Sequence, residues 1–262
     1  MLKKEEKNLG MILKFVEKKF VETTLEGNLH FSPVSYFSNT DAKYVDSNVG
    51  DVFDKNEGQD KHVLKTEKAI IFLANSKQVI SFPLKRTTLS FKVKDKFEIC
   101  SFMGLNLERD FKLVSVSNSS SKEYSLKPNE YVRIYQLNPG VIEEIEQFKE
   151  IEEENKGEEC ELLLFSGEII CKKIPQKYEL DCLTVHYHDF HKAEDPDEIP
   201  DNLNELKVLG EKDSKYKGQR EIRLIKKGNK FENINFKELK NQIWRVSIDE
   251  LRRWRFYLIF NR

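Results

Sequence analysis

Gln219, Glu221 and Arg223 stand at alternate positions in Gln219-Arg220-Glu221-Ile222-Arg223-Leu224-Ile225. The alternation predicts a strand with these three residues and Ile225 on one side, and Arg220, Ile222 and Leu224 on the other. An amide, a carboxylate and a guanidinium at consecutive same-face positions belong either to a solvated edge or to a wall of a site. On the first reading Glu221 and Arg223 form a surface pair, worth about 0–1 kcal/mol. On the second they are candidates for chemistry.

Two other stretches carry reactive residue types. In Cys182-Leu183-Thr184-Val185-His186-Tyr187-His188-Asp189-Phe190-His191, a strand would put Cys182, Thr184, His186 and His188 on one face. A thiol and two imidazoles there have the character of zinc ligands, or one histidine could serve as a general acid or base. No H-E-x-x-H or paired C-x-x-C accompanies them, so unliganded histidines on an exposed strand are preferred and no metal is assigned. The C-terminal stretch runs from Gln242-Ile243-Trp244-Arg245 to Arg252-Arg253-Trp254-Arg255-Phe256-Tyr257-Leu258-Ile259-Phe260. Its arginines and tryptophans could neutralise and stack on single-stranded nucleic acid. The preferred alternative is a terminal element that docks its aromatics in the body while the arginines snorkel.

Gln219-x-Glu221, placed after the Tyr/Gly-containing turn at residues 213–218, resembles the Gln-x-Glu or Glu-x-Glu box of ADP-ribosyltransferases. The longer string Lys-x3-Tyr-x2-Gln-x-Glu-x-Arg, residues 212–223, is similar to one in poorly characterised bacterial and phage proteins, some linked to abortive infection. The resemblance implies a split-sheet core and transfer of ADP-ribose from NAD to a macromolecular acceptor, protein or nucleic acid, by a toxin or phage-defence effector. In that role Glu221 is the catalytic carboxylate that stabilises an oxocarbenium-like ribose, and Gln219 orients the acceptor. Tyr216 either stacks on the acceptor or plugs the core. Lys14, His30, Ser32 and Arg223 are the implied NAD-binding residues, with Ser32 and Ser35 echoing the Ser-Thr-Ser box of many toxins. The first strands offer only Lys14 and His30 where an Arg or His is expected. A degenerate, non-catalytic binding or regulatory protein of phage–host conflict is therefore the alternative, beside a nucleic-acid-binding protein that uses the C-terminal stretch.

The whole chain must position these residues. Its 262 residues and 30.9 kDa are long enough to bury a substantial core in one domain. A hydrophobic content of 39%, with 18 Phe, argues for a folded protein, and 34% charged residues for a well-solvated surface. The net charge of −1 gives no global field for nucleic acid, which would need a local patch. No apolar run approaches the roughly 18 residues of a bilayer span, and no h-region of a secretory signal is seen, so a cytoplasmic protein is expected. Cys100, Cys160, Cys171 and Cys182 lie in or beside apolar runs and are expected to be reduced.

The expected fold is α+β, with mixed or antiparallel sheets and a few short helices. Residues 1–10 form a Lys/Glu-rich flexible lead. A strand at 11–16, a helical segment at 17–25 closed by Gly27, and a strand at 29–32 make the entry unit, with Pro33 starting a helix or turn. This order too resembles the entry of ADP-ribosyltransferases. The Gly/Asp/Asn-rich loop at 49–58 lacks the calcium-loop pattern and is read as a solvated loop, or as a cover over the dinucleotide cleft. Short strands follow at 69–73, 78–82, 89–93 and 97–102, then a polar connector at 115–121 and a strand at 131–135. Residues 139–155 space Val141, Ile142, Ile145, Phe148 and Ile151 for one helical face. A hairpin is expected at 162–170 with Ser166-Gly167 at its turn, and an acidic surface excursion at 192–214.

Overall fold

The computed structural model describes residues 9–34, 59–65, 68–73, 78–83, 86–92, 96–189, 192–194 and 205–261. The loop at 49–58, the acidic centre at 195–201, Ser35 and the lead before residue 9 fall outside the described residues. The chain opens with β1 (Leu9–Glu17), a 3-10 turn (Lys18–Phe20), α1 (Val21–Leu25) and β2 (Asn28–Pro33). Gly27 closes this helix at φ +96°, where a Cβ would stand 2.5 Å from the Phe236 carbonyl oxygen. Then come β3 (Gln59–Lys65), β4 (Lys68–Leu73), β5 (Gln78–Pro83), β6 (Arg86–Lys92) and β7 (Phe97–Asn106). The middle of the chain holds α2 (Leu107–Asp110), β8 (Phe111–Ser117), β9 (Glu130–Leu137), α3 (Pro139–Lys156) and β10 (Cys160–Ser166). A π-helical turn (Ile169–Lys173) runs into α4 (Ile174–Tyr178), followed by β11 (Asp181–Thr184), β12 (His186–His188) and β13 (Ala193–Glu194). The last part holds α5 (Glu205–Leu209), β14 (Glu211–Asp213), a 3-10 segment (Ser214–Gln219), β15 (Glu221–Lys227) and β16 (Glu232–Asn235). It ends with β17 (Ile243–Val246), α6 (Ile248–Arg253) and β18 (Arg255–Asn261). The fold is α+β, with mostly antiparallel sheets and few short helices, as the sequence predicts.

The principal sheet is ordered β11-β15-β7-β1-β10-β17, with β2 joined to β7 and β16 to β2, all antiparallel. One edge of β7 pairs with β15 from Phe97 to Met103. Its other edge is shared, β2 taking Glu98 and Ile99 and β1 taking Met103 to Asn106. The central strands β7 and β15 are buried on both faces, and β7 accordingly reads as a largely apolar run, whereas β15 carries a carboxylate and a guanidinium into the interior. A second sheet, β18-β9-β8, is antiparallel, and β12 pairs with β14 in parallel.

Three apolar clusters fill the core. On one face of the principal sheet, Ile12, Phe102, Leu163, Phe165, Ile222 and Leu224 meet Ile169, Ile170 and Ile174 of the helical turn and α4. On the other face, Leu13, Phe15, Met103, Leu105 and Leu162 lie under Val141, Ile142 and Ile145 of α3 and Leu251 of α6. Further along that second face, Phe97, Ile99 and Ile225 lie under Leu209 of α5. α3 is the helix the sequence predicts, with Pro139 in its first turn and Gly157 as a left-handed C-cap.

Several expectations are corrected. Pro33 ends β2, paired with Glu98, and helix begins one residue later, at Val34. Ser166-Gly167 leads from a strand into helix, because Ile169, Ile170 and Ile174 have helical spacing toward the first cluster. Ser115 to Ser117 belong to β8 rather than to a connector, since they continue the pairing with β9. The excursion at 192–214 is not all surface: Val208, Leu209 and Lys212 are buried where α5 and β14 fold back over the sheet.

Candidate functional site

Between the two apolar clusters of the second face lies a polar band. Alternation along β7 puts Ser101 between Ile99 and Met103, and alternation along β15 puts Glu221 and Arg223 before Ile225. Arg223 grips Glu221 in bidentate fashion, Nε donating to Oε1 at 2.8 Å and Nη2 to Oε2 at 3.0 Å. The Ser101 hydroxyl donates to Glu221 Oε1. Lys212 of β14 donates to Glu221 Oε2 at 3.1 Å and to Gln219 Oε1 at 2.8 Å. The Arg223 guanidinium also donates to the Leu209 carbonyl at the end of α5. The Glu221 amide donates to the Tyr187 hydroxyl at 2.9 Å, from β12. The exposed pair weighed from the sequence is therefore a buried one: 8% of the Glu221 side chain and 0% of Arg223 is exposed, because β15 is internal and the 205–219 segment roofs it.

Burial alone would push the Glu221 carboxyl up. The charges of Arg223 and Lys212 and the hydrogen bonds from Arg223 and Ser101 outweigh it and hold the group well below the carboxylate range. A carboxylate can accept about four hydrogen bonds, and here four donors reach it.

Gln219 does not begin the strand. It ends the 3-10 segment, and Arg220 follows in the left-handed region at φ 48°. That kink turns the Arg220 side chain away from the sheet, to Asp110 and to Glu144 of α3 (Nε to Oε2, 3.0 Å). Gln219 and Glu221 nevertheless converge, through Lys212.

The other residues proposed for NAD stand apart from this cluster. Lys14 shares its face of β1 with Ile12 and Val16, the opposite face of the sheet from Glu221. Its ammonium lies 5.0 Å from the Phe102 ring centroid and donates to the Ser101 carbonyl at 2.6 Å, in the gap where β1 and β2 part along β7. His30 is exposed on β2, bonded to Asn233 at 2.8 Å and stacked on Phe231. Ser32 is in β2, paired with Ile99. The Tyr216 side chain is outside the described residues.

The single strand expected at 182–188 is broken at Val185, whose amide bonds to the Glu221 carbonyl. β11 stays on the principal sheet, with Cys182 packed against the first apolar cluster, while β12 leaves to pair with β14. His186 instead meets Glu211 at 2.8 Å, and its ring stacks on that of His188. No group of three or more metal-ligating side chains forms among the described residues. Two of the C-terminal arginines are engaged by acids: Arg245 by Glu22 and Glu161, and Arg252 by Glu146 and Asp249. Trp254 and Phe256 pack against the second apolar cluster, as the docked alternative of the sequence reading expects, whereas Trp244 is exposed.

Lys212, Ser101, Tyr187 and Leu209 are given no role by the sequence reading. Lys212 opens the string at 212–223, and Ser101 is a polar residue set among the apolar ones of β7, so both leave a trace in the sequence. Tyr187 and the Leu209 carbonyl leave none. Comparison of the chain with protein-family models, with curated proteins and with solved structures finds no match.

Proposed function

We propose that the chain is a non-catalytic binding protein in which Gln219-x-Glu221 is a clasp that holds the 205–219 segment on the sheet. One observation carries this reading: the Glu221 carboxylate already accepts from Ser101, Lys212 and, twice, Arg223, in a buried position. A carboxylate that stabilises a developing ribose cation needs a free face toward that cation. Breaking a buried, hydrogen-bonded charge cluster is costly, which suits a structural tie.

The second reading is an ADP-ribosyltransferase-like protein with a split-sheet core, a toxin or phage-defence effector with Glu221 as catalytic carboxylate and NAD as substrate. It is favoured by the convergence of Gln219 and Glu221 on one ammonium, and by the parting of β1 and β2 along β7. It requires Lys212 and the roof to move aside before NAD enters. NAD consumption and label transfer in a cell lysate decide between the two, with wild type compared against Glu221→Gln. The clasp reading expects no turnover and no NAD-induced thermal shift in the wild type, and a less stable variant. Turnover in the wild type that is lost in a still-folded Glu221→Gln protein overturns it in favour of the transferase.

A further inference from the structure

The second sheet, β18-β9-β8, ends in β8, and no described strand pairs with its outer edge. From Lys112 to Val116 every residue of β8 is exposed. Leu113, Val114 and Val116 are among the exposed large hydrophobic residues, as is Ile259 of β18. On the same sheet Arg133 of β9 sits across from Val116 of β8 and Leu258 of β18, with its guanidinium over the rings of Tyr131 and Phe260. Only tyrosines raise its affinity for its proton, and it has no carboxylate partner among the described residues. Arg109, Arg220, Arg223, Arg245 and Arg252, by contrast, all meet acids.

We infer that the β8 edge is a docking site for an extended, acid-bearing strand of a partner protein, which adds to the sheet and places a carboxylate against Arg133. This names the partner class for the binding-protein reading and rests on it. Unpaired edge amides and carbonyls supply the main-chain hydrogen bonds of strand addition, and the alternating pockets supply selectivity. The aliphatic residues flanking Arg133 fit side chains of a polypeptide, whereas nucleobases call for open aromatic faces, and here the guanidinium covers the rings. A second copy of the chain fits poorly. Antiparallel self-pairing about Val114 would oppose bulge to bulge, since the register with β9 shifts between Leu113 and Ser115.

Selection of a random phage-displayed peptide library on the full chain tests this. The expected winners alternate apolar and acidic residues, protect the β8 amides from exchange, and bind about tenfold or more weakly to Arg133→Glu than to wild type or Arg133→Lys. Arg133 is exposed, so these variants fold. Failure to enrich any peptide, enrichment of basic or uncharged ones, or indifference to Arg133→Glu overturns the proposal. So does tight, salt-steep binding of an oligothymidine, or a concentration-dependent rise to dimer mass. NAD turnover would sink the binding-protein reading separately, whatever the peptides do.

Discussion

Lys212 and Glu221 lie nine residues apart in sequence and 3.1 Å apart in space, joined across the seam between the roof and the principal sheet. With Arg223 they place two cations around one buried anion, so the anion is the group whose loss costs most. Glu221→Gln is expected to destabilise the protein by about 3–5 kcal/mol in urea unfolding. Replacing Glu221 and Arg223 together by Leu and Met should recover part of that, because one buried cation, Lys212, then loses the carboxylate instead of two. Equal losses for the single and double variants would sink the clasp.

The acid limb of stability follows from the same group. The Glu221 carboxyl is depressed in the folded state, so its contribution is complete above the ordinary value of 4.5 and falls away as pH drops below it. Asp110 acts in the same direction: burial opposes ionisation there, but hydrogen bonds from Arg109 and the Asn106 amide and the charge of Arg220 prevail. Urea midpoints taken from neutrality down to about pH 3 should fall for the wild type and fall less for Glu221→Gln.

Gly27 has a conformation and a neighbour that forbid a side chain. Gly27→Ala would combine a left-handed φ with a Cβ 2.5 Å from the Phe236 carbonyl, and a loss of about 1–3 kcal/mol or more is expected. Gly157→Ala, left-handed but with open space around it, should cost less. The contrast is measured by thermal unfolding of the two variants.

Thiol labelling should order the cysteines by burial. Burial pushes the Cys100 thiol up, against the opposing charge of Lys14, while Cys171 and Cys182 are only half-buried. In native protein, alkylation followed by mass spectrometry should find Cys171 and Cys182 modified well before Cys100 and Cys160.

Much of the fold was legible. β1 and β9 are short runs of branched and aromatic residues and α3 has clean helical spacing, and the structure puts each within a residue or two of its predicted bounds. The site was legible in its residues but not in its setting. Alternation from Gln219 onward predicts a strand two residues too early, because the Gly218-Gln219 step and the left-handed Arg220 break it, and nothing in the alternation reports a positive φ. Burial of Glu221 was invisible because its cover, α5 and β14, comes from a stretch whose acidic composition reads as solvated. The histidine strand failed for a related reason: alternation cannot show that a chain changes sheets at Val185.

Arg220 and Glu221 are neighbours tied to different bodies, the first to Asp110 and to Glu144 on the long helix, the second to Ser101, Arg223 and Lys212. The peptide between them is a firebreak. Loosening of the segment before it has to undo both anchorages to reach β15, so amide exchange should quicken through residues 205–219 and stop short at Glu221, leaving the central strand sealed while its cover breathes.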